Sequence, residues 1–435
     1  MHRRIPAILL SNVDVYAWES KVAENATRLS ESGTMTTGMD AVAQPGEITG
    51  TRGIASKEAP TRLSVLHVHS GNLFGGIERA ILTCVENLHF APSIHFEFAL
   101  CFRGRFTESL AAAGHKIHEL PEVRTRNPFS ILAARGELKR LLACNRYDVV
   151  ICHSPWSHSV FAPVIRSAGV PELFWAHDHF RGKHWLERWA RRSQPDFVIS
   201  NSDYTDLSVP GLFAGVSHQV LRCPIQTRPV DLAPELRSRL RAELDTPDNA
   251  VVIIQVSRME SWKGQDLLLE AASTISPDLP WVIWFVGGAE RRKEKSYFAG
   301  LTAKANYLGI AKRVRFTGHR TDVPHLLSAA DIFCQPNRGP EPFGLVFVEA
   351  LVQALPVVTF DMGGPAEIID DTCGVLVPPG NVEKLGFQLQ QLASQPDRRR
   401  QFASAGPDRA KRLCDPALIL PQLETILLQL SRRRA

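Results

Sequence analysis

Two successive series of apolar strands, each alternating with helical segments, dominate the chain. Several of the strands are apolar throughout, which is typical of a parallel sheet covered by helices on both faces. The pattern therefore predicts an α/β protein with two doubly wound parallel-sheet domains. The predicted strands lie at 63–70, 94–101, 115–120, 148–154, 172–178 and 196–202, then at 250–258, 281–288, 313–319, 331–337, 355–360 and 374–378.

Changes in composition along the chain set the predicted boundaries. Residues rich in Ser, Thr, Gly and Glu precede the first strand and predict a disordered extension, with a small element at 5–20 as the alternative. A proline-rich stretch at 223–235 predicts a linker between the domains. The predicted parts are an extension at 1–60, a first domain at 61–225, a linker at 226–248, a second domain at 249–410 and a terminal helix at 411–435.

The composition is that of an ordinary soluble protein. Hydrophobic residues make up 44% of the 435 residues and charged residues 22%, and the net charge of +5 does not indicate a nucleic-acid partner. The eight cysteines are scattered without a Cys-x-x-Cys pair, which favours reduced thiols in a cytoplasmic protein. The apolar run at 5–10 is too short for a secretory signal, and no uninterrupted apolar run is long enough to span a bilayer.

The stretch EPFGLVFVEA, at 341–350, carries the strongest functional signal. It follows an apolar strand and predicts a helix that starts near Phe343-Gly344 and ends before Pro356. Unpaired amides at a helix start attract phosphate, whereas Glu341 and Glu349 suit sugar hydroxyls. A nucleotide sugar offers diphosphate and hydroxyls side by side. The alternative is a solvated Glu followed by a helix Glu without a role.

Two cations follow the first strand of the second domain. Arg258 and Lys263 precede Gly264, where the next helix opens. Such a pair suits a diphosphate whose charge grows as its bond to a sugar breaks. An ordinary surface loop is the alternative.

The first domain offers a glycine turn and a histidine at strand ends. Gly75 and Gly76 precede a helix, although they form no Gly-x-Gly-x-x-Gly signature and a simple tight turn would explain them. His177 follows an apolar strand and could orient a sugar or relay a proton, unless it is a satisfied core histidine. Because neighbouring strand residues face opposite ways, His177, Asp178 and His179 do not indicate a metal site.

Basic and aromatic residues alternate at 181–192. Trp185 and Trp189 are four residues apart and would share one helical face. The segment could contact an anionic membrane surface, or it could be a helix packed by its tryptophans with a solvated basic rim.

Together these motifs resemble the retaining glycosyltransferases of family 4, the glycosyl transferases group 1. The resemblance covers about 63–395, and its hallmark is the Glu-x7-Glu of Glu341 and Glu349. Arg258 with Lys263-Gly264 and the GGIER and His177-Asp178 motifs also match. The resemblance implies the GT-B fold, in which two Rossmann-like domains face each other across an interdomain cleft.

The resemblance also implies roles for single residues. Arg258 and Lys263 would bind the donor diphosphate, Glu341 the sugar hydroxyls and Glu349 the ribose. The other implied donor contacts are the backbone of Phe343, Gly344 and Leu345, the base site at His319-Arg320, Gly75 and Gly76 at the first domain, and His177 beside the transferred sugar. The terminal helix would cross back to the first domain. Ser257 departs from the glycine usual before the arginine.

The implied function is metal-independent, retaining transfer of a sugar to an acceptor hydroxyl. A UDP- or GDP-sugar would be the co-substrate, no cofactor or metal would be bound, and the acceptor would be a glycan or a lipid-linked molecule in polysaccharide, lipopolysaccharide or glycolipid synthesis. The protein would be cytoplasmic, with a possible place on the inner face of the plasma membrane. A non-catalytic nucleotide-sugar-binding subunit is the main alternative, and a GT-B-type epimerase or phosphorylase is a further one.

Overall fold

The computed structural model describes residues 62–71 and 74–432. The expected extension at 1–60 therefore lies outside the described residues. Each domain is built on one sheet whose strand pairs are all parallel.

The first sheet has seven strands in the order β3-β2-β1-β4-β5-β6-β7. Its order reverses direction at β1 and β4, where crossovers leave to opposite sides, and such a switch point is where doubly wound sheets bind ligands. The strands are β1 (Leu63–His69), β2 (Ile94–Leu100), β3 (Ile117–Glu119), β4 (Val149–Cys152), β5 (Glu172–Ala176), β6 (Phe197–Ser200) and β7 (His218–Val220).

The second sheet has six strands in the order β10-β9-β8-β11-β12-β13. It has the same kind of switch point, between β8 and β11. The strands are β8 (Val251–Val256), β9 (Trp281–Val286), β10 (Val314–Gly318), β11 (Ile332–Cys334), β12 (Val357–Phe360) and β13 (Gly374–Val377). The two sheets confirm the predicted α/β class and the doubly wound architecture.

Helices cover both faces of each sheet. Those of the first domain are α1 (Gly76–Glu86), α2 (Arg105–Ala112), α3 (Pro128–Cys144), α4 (Pro155–Ser167), α5 (Trp185–Ala190), α6 (Asp203–Asp206) and α7 (Val209–Leu212). The later ones are α8 (Pro234–Glu243), α9 (Gln265–Ala272), α10 (Arg292–Tyr307), α11 (Val323–Ala329), α12 (Leu345–Val352), α13 (Pro365–Ile368), α14 (Val382–Ser394), α15 (Pro396–Cys414) and α16 (Pro416–Arg432). Short 3-10 turns lie at Leu88–Phe90, Ser261–Lys263 and Ala311–Arg313.

Two helices differ from the sequence-based expectation. The expected linker at 226–248 contains α8, which begins with Pro234, a residue well suited to a first helical turn. Helix α15 spans a Gly406-Pro407 pair that normally indicates a break. Gly406 favours the close packing of α15 on α12, because a Cβ there would lie 3.0 Å from the backbone oxygen of Leu351.

The terminal helix α16 packs on the first sheet, although it follows the second domain. Leu420, Leu423 and Leu427 are buried in the same core cluster as Val65 of β1. The Glu424 carboxylate also accepts a hydrogen bond from the Ser93 amide at 2.8 Å. Among the described residues, one helical stretch, Pro396–Arg432, is long and apolar enough to cross a membrane by length and composition alone. Its apolar side chains on α16 instead cover the first domain.

Direct contacts also join the domains beside the cleft. The Glu367 carboxylate accepts hydrogen bonds from the amides of Asp203 (2.9 Å) and Tyr204 (2.7 Å) at the start of α6. Ala80 of α1 is buried in the apolar cluster of the second domain that contains Phe343 and Phe347. The carboxyl ends of both sheets therefore meet across a shared cleft.

Candidate functional site

The predicted cation Lys263 lies directly against the predicted acid Glu341. The Lys263 ammonium donates to Glu341 Oε1 at 2.8 Å, and the two side chains are only 12% and 14% exposed. Lys263 also lies 3.8 Å from the centre of the Trp262 ring. An ammonium has three N–H groups, so Lys263 can hold Glu341 and still donate to a phosphate oxygen.

Two buried amides hold the second oxygen of Glu341. Gln335 and Asn337 follow β11, and their side chains donate to Glu341 Oε2 at 3.1 and 2.6 Å. Gly264 secures the approach of the two loops: its φ is +70°, and a Cβ would lie 1.8 Å from the Pro336 oxygen. The loops after β8 and β11 thus form one polar unit.

The loop that carries Arg258 is tied down by side-chain amides. Gln265 donates to the Arg258 carbonyl at 2.9 Å and to the Ser257 hydroxyl at 3.0 Å. Gln255 donates to the Lys263 carbonyl at 2.7 Å. Ser257, which departs from the family's usual glycine, therefore uses its hydroxyl to fix the loop. The half-exposed Arg258 guanidinium lies 3.2 Å from Glu260.

Helix α12 begins at Leu345, one or two residues later than predicted. Gly344 caps it with a φ of +96°, and a Cβ there would lie 2.6 Å from the Phe347 ring. The glycine is therefore required by the backbone conformation and by the nearby Phe347 ring of its own helix. Phe343 is buried, whereas Leu345 is half-buried and faces the first domain.

Helix α1 of the first domain meets α12 across the cleft. A Cβ at Gly76 would lie 3.3 Å from Leu345 Cδ1, so the glycine permits close approach. Arg79 Nη2 lies 3.3 Å from Glu349 Oε1. Burial raises the pKa of Glu349, although Arg79 opposes the shift. In the structure, the glycine turn thus lies close to Glu349, the residue predicted to bind the ribose.

The glycine turn has an acid of its own. The Gly75 amide donates to Glu78 Oε2 at 2.7 Å, and His69 lies 2.8 Å from Glu78 Oε1. Burial opposes ionisation of Glu78, but the contacts with His69 prevail and lower its pKa. Glu78 therefore connects the turn to the end of β1.

His177 lies just beyond the end of β5 and is 8% exposed. Its Nε2 is 3.2 Å from His153 Nδ1, and its carbonyl accepts a hydrogen bond from Asn201. Burial lowers the pKa of His177 to about 3, so the ring is neutral at physiological pH. His177 is thus a neutral polar group at the edge that faces the second domain.

At the predicted base site, the Arg320 side chain is occupied by contacts with other residues of the protein. Arg320 forms two hydrogen bonds with Asp322, at 2.8 and 2.7 Å, and also contacts Glu243. These hydrogen bonds raise the pKa of Arg320 and occupy its side chain with partners within the protein. His319 is exposed and lies near Gly288. Contacts to a base at this place would come from the backbone or from His319.

The basic segment at 181–192 has only one strongly exposed aromatic side chain. Trp185 is 42% exposed, whereas Trp189 packs against the first core and Leu186 is buried. The two tryptophan rings lie 6.2 Å apart. In the described part of the chain, no group of three or more His, Cys, Asp or Glu side chains could hold a metal ion.

Sequence reasoning missed several groups at this site. Gln335 and Asn337 sit in the QPN stretch directly after a strand, a position that indicates polar function in parallel sheets. Arg79 stands within GGIER but was given no role. His67 and His153 were also missed, although polar residues inside or directly after apolar strands are a usable signal. Their partners lie on other strands and cannot be identified from the chain alone.

Comparisons with known proteins agree on the family. Residues 237–409 match the family described as Glycosyl transferases group 1, and residues 74–206 match Glycosyltransferase Family 4. Together the two matches cover more than half of the chain.

Curated relatives are similar over part of their length. The chain is 33% identical over 168 residues to the lipopolysaccharide core biosynthesis glycosyltransferase LpsE of Rhizobium meliloti (strain 1021), covering 38% of this chain and 46% of the relative. It is 30% identical over 244 residues to the D-inositol 3-phosphate glycosyltransferase of Corynebacterium urealyticum (strain ATCC 43042 / DSM 7109), covering 51% and 56%. The chain thus spans about half the length of these two relatives.

A solved structure supports the fold. The crystal structure of Anabaena Alr3699/HepE in complex with UDP and glucose has a TM-score of 0.73 and 24% identity, covering 85% of this chain and all of that one. With the two facing parallel sheets, these matches show that the chain belongs to glycosyltransferase family 4 and has the GT-B fold.

Proposed function

We propose that this protein is a retaining glycosyltransferase that moves a sugar from a nucleoside-diphosphate sugar, a UDP- or GDP-sugar, to an acceptor hydroxyl. The observation that carries the proposal is the Lys263–Glu341 ion pair at 2.8 Å, held between two loops at the carboxyl edge of the second sheet. It puts a cation for the diphosphate next to an acid for the sugar hydroxyls.

The other residues have roles that follow from their positions. Arg258 and the first amides of α12 would neutralise the diphosphate as charge develops on it. Glu349 would accept from the ribose hydroxyls, a role that fits a partly exposed acid beside Arg79 at the cleft. His177 would offer a neutral hydrogen-bonding group to the transferred sugar. This scheme requires no bound metal and no cofactor.

The acceptor side belongs to the first domain. We assign the protein to glycan or glycolipid synthesis, because relatives carry names from lipopolysaccharide core and inositol phosphate glycosylation. The chemical class of acceptor is a glycan or a lipid-linked hydroxyl compound.

The decisive experiment measures donor binding and donor hydrolysis together. Thermal shifts with UDP-glucose, GDP-mannose and ADP-glucose identify the base, since a ligand that binds the folded state raises the melting temperature. Hydrolysis of the binding donor is then compared between wild type and Glu341→Ala, with the exposed Glu383→Ala of α14 as the control. We expect hydrolysis by wild type and the control only.

A non-catalytic nucleotide-sugar-binding subunit would give a different result. Such a protein would show the thermal shift, but wild type would hydrolyse the donor no faster than buffer does. Because both kinds of protein would use Lys263 and Glu341 to hold a nucleotide sugar, hydrolysis of the donor by wild type decides between them.

We further propose that the segment 181–192 contacts an anionic membrane surface. Lys183, Arg188 and Arg192 are exposed beside the exposed Trp185. Anionic lipid attracts each such charge by about 1 kcal/mol. Flotation with vesicles of phosphatidylglycerol and phosphatidylcholine should carry the wild-type protein and less of a variant with all three charges replaced by Gln. Equal flotation, or flotation with phosphatidylcholine alone, contradicts the proposal.

A further inference from the structure

Three histidines from neighbouring strands form a line that leads from the core of the first domain to the cleft. His67 lies in β1, His153 follows β4 and His177 follows β5, and these strands are adjacent in the sheet. His67 Nδ1 is 2.8 Å from His153 Nε2, and His153 Nδ1 is 3.2 Å from His177 Nε2. The ring planes differ by only 14° and 20°, so successive rings are nearly parallel.

The line is buried and uncharged. His67 and His153 are 0% and 1% exposed, and His177 is 8% exposed. Burial lowers the pKa of His67 and of His177 to about 3, and it also lowers the pKa of His153 well below its usual value. Each neutral ring has one N–H donor and one bare nitrogen acceptor. Both hydrogen bonds must therefore run in the same direction along the line.

The surroundings of His67, at the core end of the line, determine the direction in which the two hydrogen bonds run. His67 Nε2 is buried without a hydrogen-bond partner, and the ring packs against Phe96 and Phe98 at 4.3 and 5.0 Å between centroids. A buried donor left unpaired is rarer in proteins than a buried acceptor left unpaired. The bare nitrogen therefore belongs at His67 Nε2 and the N–H at its Nδ1, which directs both hydrogen bonds toward the cleft.

We propose that His67 and His153 are positioning residues that fix the tautomer of His177. In this arrangement His177 Nε2 accepts from His153, and His177 Nδ1–H is left as a donor toward an oxygen of the sugar in the cleft. His69 is a separate branch: its ring lies 5.8 Å from that of His153, but its hydrogen bond goes to Glu78. The inference rests on the proposed function only for the identity of the oxygen, not for the tautomer.

The tautomer can be measured without any ligand. In the full chain labelled with 15N-histidine, two-bond 1H–15N spectra distinguish ring nitrogens that carry a proton from bare ones, and His177→Gln assigns the signals. We expect the proton of His177 on Nδ1 in wild type and a mixed population in His153→Phe, which keeps an aromatic ring but removes the donor to His177 Nε2. His115→Phe is the matched control, because His115 contacts the same Phe98 ring, at 5.8 Å, but lies outside the line.

A proton on His177 Nε2 in wild type, or an unchanged tautomer in His153→Phe, would overturn the inference. If His153→Phe does not fold, as judged by its melting curve, His153→Leu provides the same comparison because it also removes the middle of the line. These spectra test the tautomer of His177 even if wild type hydrolyses no donor. A failure of the proposed function can therefore be distinguished from a failure of this inference.

A kinetic experiment tests the consequence for the sugar. With the donor that wild type hydrolyses, His153→Phe should lower kcat by about 3- to 10-fold, the effect of one weakened hydrogen bond. Affinity for the corresponding nucleoside diphosphate, which lacks the transferred sugar, should not change, and His115→Phe should match wild type. An equal loss of affinity for the free nucleotide would indicate a structural role and contradict positioning of His177.

Discussion

The two edges of the cleft use different chemistry. The edge of the first domain presents buried imidazoles that stay neutral, with His67, His153 and His177 at most 8% exposed. The edge of the second domain presents ion pairs, and the Lys263 and Glu341 side chains are 12% and 14% exposed. The first domain therefore offers directional hydrogen bonds without charge around His177, whereas the second domain offers charge around Lys263.

This difference fits the two parts of a nucleotide sugar. A diphosphate needs positive charge, whereas a sugar needs oriented donors and acceptors that do not attract the diphosphate to the wrong side. A neutral imidazole meets the second need, because it offers a hydrogen bond without competing for phosphate. The difference between the two edges is thus consistent with a nucleotide sugar that lies across the cleft in one orientation.

The largest expected effect comes from removing the cation of the charged edge. Lys263→Ala deletes a group that would stabilise the departing diphosphate, and loss of one such donor typically costs about 2.7–4 kcal/mol in the transition state. We expect donor turnover to fall by roughly 100- to 1000-fold. Steady-state hydrolysis of the donor found in the thermal-shift screen measures this fall.

Folding and charge must be controlled in that experiment. Lys295→Ala removes an exposed lysine of α10 and should retain wild-type turnover. Melting curves check that Lys263→Ala is folded, because Glu341 loses its partner in this variant. Intact turnover by folded Lys263→Ala would show that the charged edge does not carry the chemistry.

Much of the charged edge could be predicted from the sequence, because it is built from short segments. Arg258 and Lys263 share one loop, and Glu341 and Glu349 lie in one stretch, so each pair is visible along the chain. Their placement after apolar strands also follows from the alternation that predicts the fold. The ion pair of Lys263 with Glu341 could not be predicted in detail, because 78 residues separate its partners.

Only His177 of the neutral edge was predicted from the sequence, by its place after an apolar strand and by the family resemblance. His67, His153 and His177 come from three strands that are adjacent only because of the order β1-β4-β5. Sequence alone gives His67 and His153 the properties of ordinary core histidines. The bonded contacts of Arg320 were missed for the same reason, since Glu243 belongs to α8 in the stretch expected to be a linker.

The second prediction tests the neutrality of the first edge through stability. His67 ordinarily takes up a proton near pH 6.5, but burial lowers its folded-state pKa to about 3. Between these values the unfolded chain binds more protons, so the free energy of unfolding falls as the pH falls. Each such histidine contributes about 1.4 kcal/mol per pH unit.

Removing one of the histidines should therefore flatten the acid dependence. Between pH 6.5 and about pH 5, His67→Phe should lose about 2 kcal/mol less free energy of unfolding than wild type does. Urea unfolding at several pH values measures this difference. Phe98→Leu, which disturbs the packing beside His67 but keeps the imidazole, should lower stability and retain the wild-type slope. An identical slope in His67→Phe would mean that the imidazole is not held neutral.

The smallest expected effect concerns the contact that joins the two edges. Arg79 of α1 lies 3.3 Å from Glu349 of α12, and their side chains are 51% and 21% exposed. Half-exposed pairs of this kind contribute about 0.2–1 kcal/mol. In a double-mutant cycle of Arg79→Ala and Glu349→Gln, we expect a coupling free energy of unfolding in that range.

Repeating the double-mutant cycle with bound nucleotide tests whether Glu349 changes its partner. If Glu349 turns to the ribose when a nucleotide binds, Arg79 loses this partner, and the coupling should fall toward zero when the cycle is repeated with saturating nucleoside diphosphate. A coupling that is unchanged by the nucleotide would show that Glu349 remains on Arg79. The charged and neutral edges would then be joined by a fixed structural contact, and the ribose would have to be bound by another group.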